Sequence, residues 1–320
     1  MGVQDAIGKR YMSDNEIFAD AFNYLLYGGD PVIRARELQE ADTTAIILPY
    51  GNNARLTVQR YRDVKKLWIA KRDRNAIYAL LADELQNWIH YAVPVKDMLY
   101  DVIDYAKQIE AVARSYRKGK DDGALLVRDD GTVEIRLTRE EFLSGFRKTD
   151  KLIPVITATI YFGAEEWDGP LSLHEMLSVT DPRLLRAIPD YRVNLIAPAR
   201  IDDADFGKFR TELGLALKVL KYQNGGADQL IMDLGDRKIS RSTAEFLNVQ
   251  AKLGLKFEEP AREGEINMCK AMETRLKSER ENTLLQDIKS LMETVKFTAE
   301  QAMTALKVPA ADQTRLAGLL

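Results

Sequence analysis

Apolar residues recur along this chain with two different periods, and the alternation between them outlines a mixed α/β protein. Phe18, Phe22, Leu25 and Leu26 fall at i, i+4, i+7 and i+8, which predicts a helix over 16–26 with Glu16, Asp20 and Asn23 sharing another face. Gly28-Gly29-Asp30-Pro31 supplies its stop. Two strands are predicted at 55–67 and 75–86, joined through the polar run 71–74. The second contains Ala76-Ile77-Tyr78-Ala79-Leu80-Leu81-Ala82, a continuous apolar run ending abruptly in charge, as a central strand does where it reaches an active edge. Pro94 sits in the first turn of a helix reaching about residue 118, in which Met98, Ile103 and Ile109 recur among charged neighbours. Leu125-Leu126-Val127, Asp129-Asp130-Gly131 and the run from Val133 read as a hairpin, an insertion at about 121–137. Thr138-Arg139-Glu140-Glu141 fits a capping box. Further strands are predicted at 152–162 and 191–196, and a helix at 205–222.

Asn224-Gly225-Gly226 predicts a break, giving a core at 1–225 and a helical region at 226–320. In the latter, Leu284, Leu285, Ile288, Leu291, Met292 and Val295 form an amphipathic stripe without catalytic content, and Thr298-Ala299-Glu300-Gln301 opens a short terminal helix. This region is expected to regulate the core or to assemble homo-oligomers.

Composition narrows the class. At 320 residues with 46% hydrophobic and 30% charged side chains the chain is a folding globular protein. Cys269 is its single cysteine, so an intramolecular disulfide is impossible and a cytoplasmic setting is expected. Residues 1–12 lack the apolar core of a leader, and no stretch approaches the roughly 18 apolar residues of a membrane span. A formal net charge of -3 argues against a protein that coats DNA by neutralising phosphates. It leaves room for a local basic groove: Arg60, Arg62, Lys65, Lys66, Lys71, Arg72 and Arg74 lie close together, although a solvated hairpin reads equally well.

Phosphodiester hydrolysis at neutral pH needs charge neutralised on the phosphoryl group and a hydroxide to attack it, and hard divalent cations held by carboxylates serve both ends. Asp63 and Glu84 lie on the two strands of the first predicted hairpin, so both could reach one cation, and Gln86 shares a face with Glu84. An acidic pair followed by a polar residue at i+2 is the core of a PD-(D/E)XK site. Among 49 acidic residues such a spacing arises readily by chance. Support has to come from the rest of the chain.

The segments Tyr61-Arg62-Asp63-Val64-Lys65-Lys66-Leu67-Trp68, Lys151-Leu152-Ile153-Pro154-Val155-Ile156, Ile160-Tyr161-Phe162-Gly163 and Trp167-Asp168-Gly169-Pro170-Leu171-Ser172-Leu173-His174-Glu175-Met176-Leu177 supply it. Pro189-Asp190-Tyr191-Arg192-Val193-Asn194-Leu195 and Ile266-Asn267-Met268-Cys269-Lys270-Ala271 follow in order. Together they resemble the Rpn family of recombination-promoting nucleases, within the PD-(D/E)XK superfamily, over nearly the full length. The resemblance implies a restriction-endonuclease-like α/β core with a mixed central sheet flanked by helices. It implies a metal-dependent DNA endonuclease in which Asp63 and Glu84 bind Mg2+, or Mn2+ or Ca2+ in its place, and Gln86 stands where the superfamily has lysine. An amide there can orient water or a phosphoryl oxygen but brings no charge. The family pattern is departed from at Leu85 and Asn87, and again at Pro94-Val95-Lys96.

Asp20 or Glu16 is the candidate for a further acidic ligand, and Arg62, Lys65 and Lys96 are candidates to contact DNA phosphates. Trp88 and Trp167 read as packing aromatics before base-stacking ones. His174 reads as structural, and His90 falls only a few residues beyond Gln86. The alternative to an endonuclease is a catalytically degenerate nuclease fold that binds DNA or a protein, motivated by the altered residues around Glu84. A second alternative is an interaction protein built around the C-terminal helices.

Overall fold

Two helices, α1 (Val3–Met12) and α2 (Asn15–Tyr27), meet at Asp14, whose carboxylate accepts from the amides of Glu16 at 2.8 Å and Ile17 at 3.3 Å and so starts α2. The apolar face expected of α2 is buried, with Phe18 and Phe22 fully enclosed. Each such ring contributes roughly 1.5–3 kcal/mol by leaving water. Gly28, at φ 63°, ends the helix in the left-handed region. Gly29 follows at φ 97°, where a Cβ would lie 2.5 Å from the carbonyl oxygen of Lys208, so no other residue fits. This computed structural model describes residues 2–47, 58–72, 75–117, 126–127, 133–134, 138–257 and 264–320.

Short strands β1 (Leu38–Glu40), β2 (Thr44–Ile47) and β3 (Val58–Tyr61) precede the central hairpin of β4 (Val64–Arg72) and β5 (Asn75–Gln86). The strand expected over 55–67 is broken at Arg62-Asp63: β3 pairs with β2, while β4 pairs with β1 and β5. The 25-residue helix α3 (Val93–Arg117) follows, with Pro94 in its first turn. Next come a ribbon of β6 (Leu126–Val127) and β7 (Val133–Glu134), paired antiparallel as expected, and the Thr138-capped α4 (Arg139–Ser144). The turn expected at Asp129-Asp130-Gly131 lies outside the described residues. β8 (Val155–Tyr161), α5 (Pro182–Leu185), β9 (Asn194–Ile196) and α6 (Leu213–Lys221) complete the core. Strand order is β1-β4-β5-β8-β9, antiparallel up to β5 and parallel from β5 through β9: a mixed five-stranded sheet flanked by helices.

The helix expected over 205–222 is divided. Residues Asp203–Lys208 form 3-10 turns, and α6 begins only at Leu213. Asp20 is the reason: its carboxylate accepts from the amides of Arg210 and Thr211, both at 2.9 Å, and from the Thr211 hydroxyl at 2.6 Å. Those amides are withdrawn from helical bonding.

The chain divides into two units, Met1–Tyr222 and Gln223–Leu320, against the expected boundary after 225. The second contains α7 (Ala227–Met232), a ribbon of β10 (Ile239–Ser240) with β11 (Glu265–Ile266), α8 (Arg241–Gln250), α9 (Met268–Thr294), α10 (Ala299–Ala305) and α11 (Ala310–Ala317). The stripe on α9 has partners inside this unit: Ile288 is buried with Ala302, Met303, Val308 and Leu316, and Leu284, Leu285, Leu291 and Met292 pack on that cluster. The apolar face that suggested self-association is therefore covered by α10 and α11. Among the described residues no helix is long and apolar enough to cross a membrane.

Candidate active site

Strand alternation sorts the charged residues of the hairpin onto two faces. The ladder ends where Val64 lies opposite Asp83, with Asp63 one residue beyond it in a bend, and Lys65 lies opposite Ala82 on the other face. Glu84 and Gln86 share that face with Lys65, and across the parallel ladder with Thr157, Thr159 and Tyr161. Helix α3 covers it.

Asp63 sits in the bend between β3 and β4, where its Oδ2 accepts from the Leu85 amide at 2.9 Å. That bond joins the carboxylate to β5 just past the end of the backbone ladder. Burial pushes the Asp63 carboxyl above its ordinary range, against the Leu85 amide and the nearby Lys96 and Lys9. Glu84 is 1% exposed, and burial raises its carboxyl to about 7 even though Lys96 opposes the shift. Lys96, in the first turn of α3, reaches Glu84 Oε2 at 2.8 Å. Burial lowers the Lys96 ammonium, but the adjacent Glu84 outweighs it and the net shift is upward. Among the described residues Glu84 Oε1 has no hydrogen-bond donor. Gln86 is partly buried, and its carbonyl oxygen accepts from the Phe162 amide at 2.9 Å.

On the opposite face Asp83 is fully buried, and among the described residues neither oxygen has a hydrogen-bond partner. Its carboxyl is pushed well above the usual range by burial first, then by Asp63 and Glu84. Nearby on that face Lys66 is enclosed: its ammonium donates to the Ser13 carbonyl at 2.7 Å and to Glu40 at 2.6 Å, and lies 5.4 Å from the Phe18 ring centre.

Three candidates from the sequence are corrected. Arg62 is 1% exposed; it pairs with Asp101 at 2.7 Å and hydrogen-bonds Thr157, and Asp104 lies 3.4 Å from its Nε. Lys65 is buried and pairs with Asp104 at 3.0 Å. Neither side chain is free to meet a phosphate, because both cations are neutralised inside the core. Asp20 is spent on Arg210 and Thr211, which removes it from the metal-ligand set. Glu16 is exposed on the same helix, beside an open cavity of about 420 Å³ that it lines with Asp20, Arg34, Arg36 and Arg210.

The residues that fix this architecture and were overlooked in the sequence are Asp97, Asp101 and Asp104. Their i, i+4, i+7 spacing is the available signal, and it marks a buried acidic stripe on α3 rather than a solvated face. Asp101 also accepts from Thr157 and from the Tyr191 hydroxyl at 2.7 Å, and Asp97 accepts from the Thr159 hydroxyl at 2.7 Å. Lys96 therefore stands at the site end of a helix whose next two turns are tied to the sheet.

Trp167 packs in the core, edge-on to Tyr161 at 5.4 Å, whereas Trp88 is 79% exposed. His174 Nε2 is 2.8 Å from the Ile188 carbonyl oxygen, a structural position, and His90 is exposed in the segment after β5. Among the described residues no group of three or more His, Cys, Asp or Glu side chains is arranged to hold a metal ion. No family model matches the chain, and neither does any curated protein or solved structure.

Proposed function

We propose that this chain is a metal-dependent DNA endonuclease with a PD-(D/E)XK-type site. The observation that carries the reading is the bond from the Leu85 amide to the Asp63 carboxylate, which holds Asp63 at β5 beside the residue that follows Glu84, with the Lys96 ammonium paired to Glu84. The donor set fits a hard cation: Glu84 Oε1 is a buried acceptor without a donor, and Leu85 engages only Oδ2 of Asp63. Two carboxylates suffice for Mg2+, whose remaining positions are ordinarily filled by water and phosphate oxygens. When bound, Mg2+, or Mn2+ or Ca2+ in its place, neutralises phosphoryl charge and lowers the pKa of water.

The chain's own groups have distinct tasks in this scheme. Asp63 and Glu84 would hold the cation, Glu84 in its ionised form. Gln86 orients water or a phosphoryl oxygen through its amide. Lys96 leaves Glu84 and meets a substrate phosphate, supplying the positive charge that Gln86 lacks. A role in recombination would follow from the breaks this activity makes and rests on the Rpn resemblance alone.

The test is nicking of supercoiled plasmid by the full chain in Mg2+. Asp63→Asn and Glu84→Gln should each lose at least about 100-fold in rate while keeping a cooperative melt. Undiminished cleavage by Asp63→Asn would remove the site assignment. The ion pair closing Glu84 favours one second reading, a non-cutting DNA- or protein-binding module, and absence of cleavage with Mg2+, Mn2+ and Ca2+ alike would select it.

A further inference from the structure

The segment that leads from β5 into α3 sorts its side chains into two environments. Ile89 packs inward against the cluster of Val93, Tyr161, Trp167 and Ala197. Trp88 and Tyr91 turn the other way, 79% and 60% exposed, and Trp88 is the most exposed large apolar side chain among the described residues. An indole left in water forgoes the burial that makes tryptophan valuable in a core. Packing therefore does not account for it.

Its place does. Trp88 follows Gln86 by two residues, a backbone reach of about 7 Å at most. Behind it the Tyr91 hydroxyl donates to Asp168 Oδ2 at 3.2 Å, so this second ring is tethered beside an open cavity of about 490 Å³ walled by Asp168, Gly169 and Pro170. Asn87, whose amide donates to Asp5 at 2.6 Å, precedes the indole, and exposed His90 follows it by two residues.

We propose that Trp88, supported by Tyr91, is a stacking platform for an unpaired base next to the phosphodiester at Asp63 and Glu84, so that the substrate is nucleic acid with single-stranded character. The location of that phosphodiester rests on the nuclease reading above. Every base has a π-face that can stack on an exposed aromatic ring, and within a duplex those faces are already covered.

The platform carries its own reporter. Trp68 and Trp167 are buried, at 4% and 6% exposure, so the water-accessible indole emission comes from Trp88. The full chain is titrated in EDTA, where no cleavage is expected, with oligo(dT) and with a duplex of equal length. The single strand should quench the emission and bind more tightly than the duplex. Trp88→Ala should weaken single-strand binding about tenfold and Trp88→Phe by no more than about threefold. Both variants should melt with the wild type, since the side chain is exposed. Unchanged binding by Trp88→Ala, equal affinity for the duplex, or no binding would overturn the proposal. A concentration-dependent blue shift without nucleic acid would overturn it too, by showing that a second copy covers the ring. Binding with the expected pattern by a chain that cuts no plasmid would keep the platform and remove the nuclease reading.

Discussion

Asp97 shows how strongly position governs chemistry in this core. Its carboxyl is raised to about 6, by burial first, while the Thr159 hydroxyl and the Lys96 and Arg62 charges act in the opposite sense and Asp101 adds to the rise. Among the described residues one of its oxygens has no donor. Because the folded state holds this proton more tightly than the unfolded chain, the group's favourable contribution is full below about pH 4 and is lost as the pH rises through 6. Asp97→Asn cannot ionise and keeps an oxygen for Thr159. Relative to the wild type, the variant should therefore gain stability between pH 4 and 6, on the order of 3 kcal/mol, and level off above that. Urea titrations across this range read the slope directly; a constant difference would mean that Asp97 is not the titrating group.

Among the elements, α3 matters most for the site because it is fixed to the sheet through charge. Arg62 serves Asp101 and Thr157 and lies over the Tyr100 ring at 5.1 Å, while Lys65 serves Asp104. Such pairs contribute little net stability compared with apolar packing, but breaking one strands a charge in the core. Arg62→Met should cost about 3–5 kcal/mol, seen as a lower urea midpoint, since Asp101 keeps its hydroxyl donors and loses its cation. A loss below about 1 kcal/mol would mean that water reaches Asp101. The sequence revealed α2, α3, β5 and β8 because each carries a sustained period or an apolar run with a local stop. It revealed the capping boxes at Thr138 and Thr298 because their hydrogen bonds are confined to four residues. β1 escaped notice, since three residues of an edge strand show no alternation. The break at Asp63 and the interruption before α6 are set by Leu85 and Asp20, partners far away in sequence.

For the whole molecule, strand period alone relates Glu84 to Gln86, whereas the approach of Asp63 to β5 depends on a bend that breaks its expected strand. What period cannot show is which face a neighbour will cover. Lys65 and Arg62 read as a basic surface until α3, carrying Asp97, Asp101 and Asp104, lay on the sheet and the two sets neutralised each other. The same limit applied to Trp88, placed with the packing aromatics and found in water. In the C-terminal unit, the stripe on α9 was read correctly as apolar, and its partners lay a few residues downstream.

The 2.8 Å contact between Lys96 and Glu84 makes uptake of a divalent ion an exchange, because the seat beside Glu84 already has a tenant. Removing the tenant has two opposed effects: Glu84 holds its proton to higher pH, and no ammonium has to be evicted. Lys96→Met should therefore bind Mn2+ more weakly than the wild type near pH 6 and more tightly above pH 8, a crossing that a calorimetric titration at the two pH values would reveal. Curves that never cross would mean that the lysine shapes the pocket without guarding it.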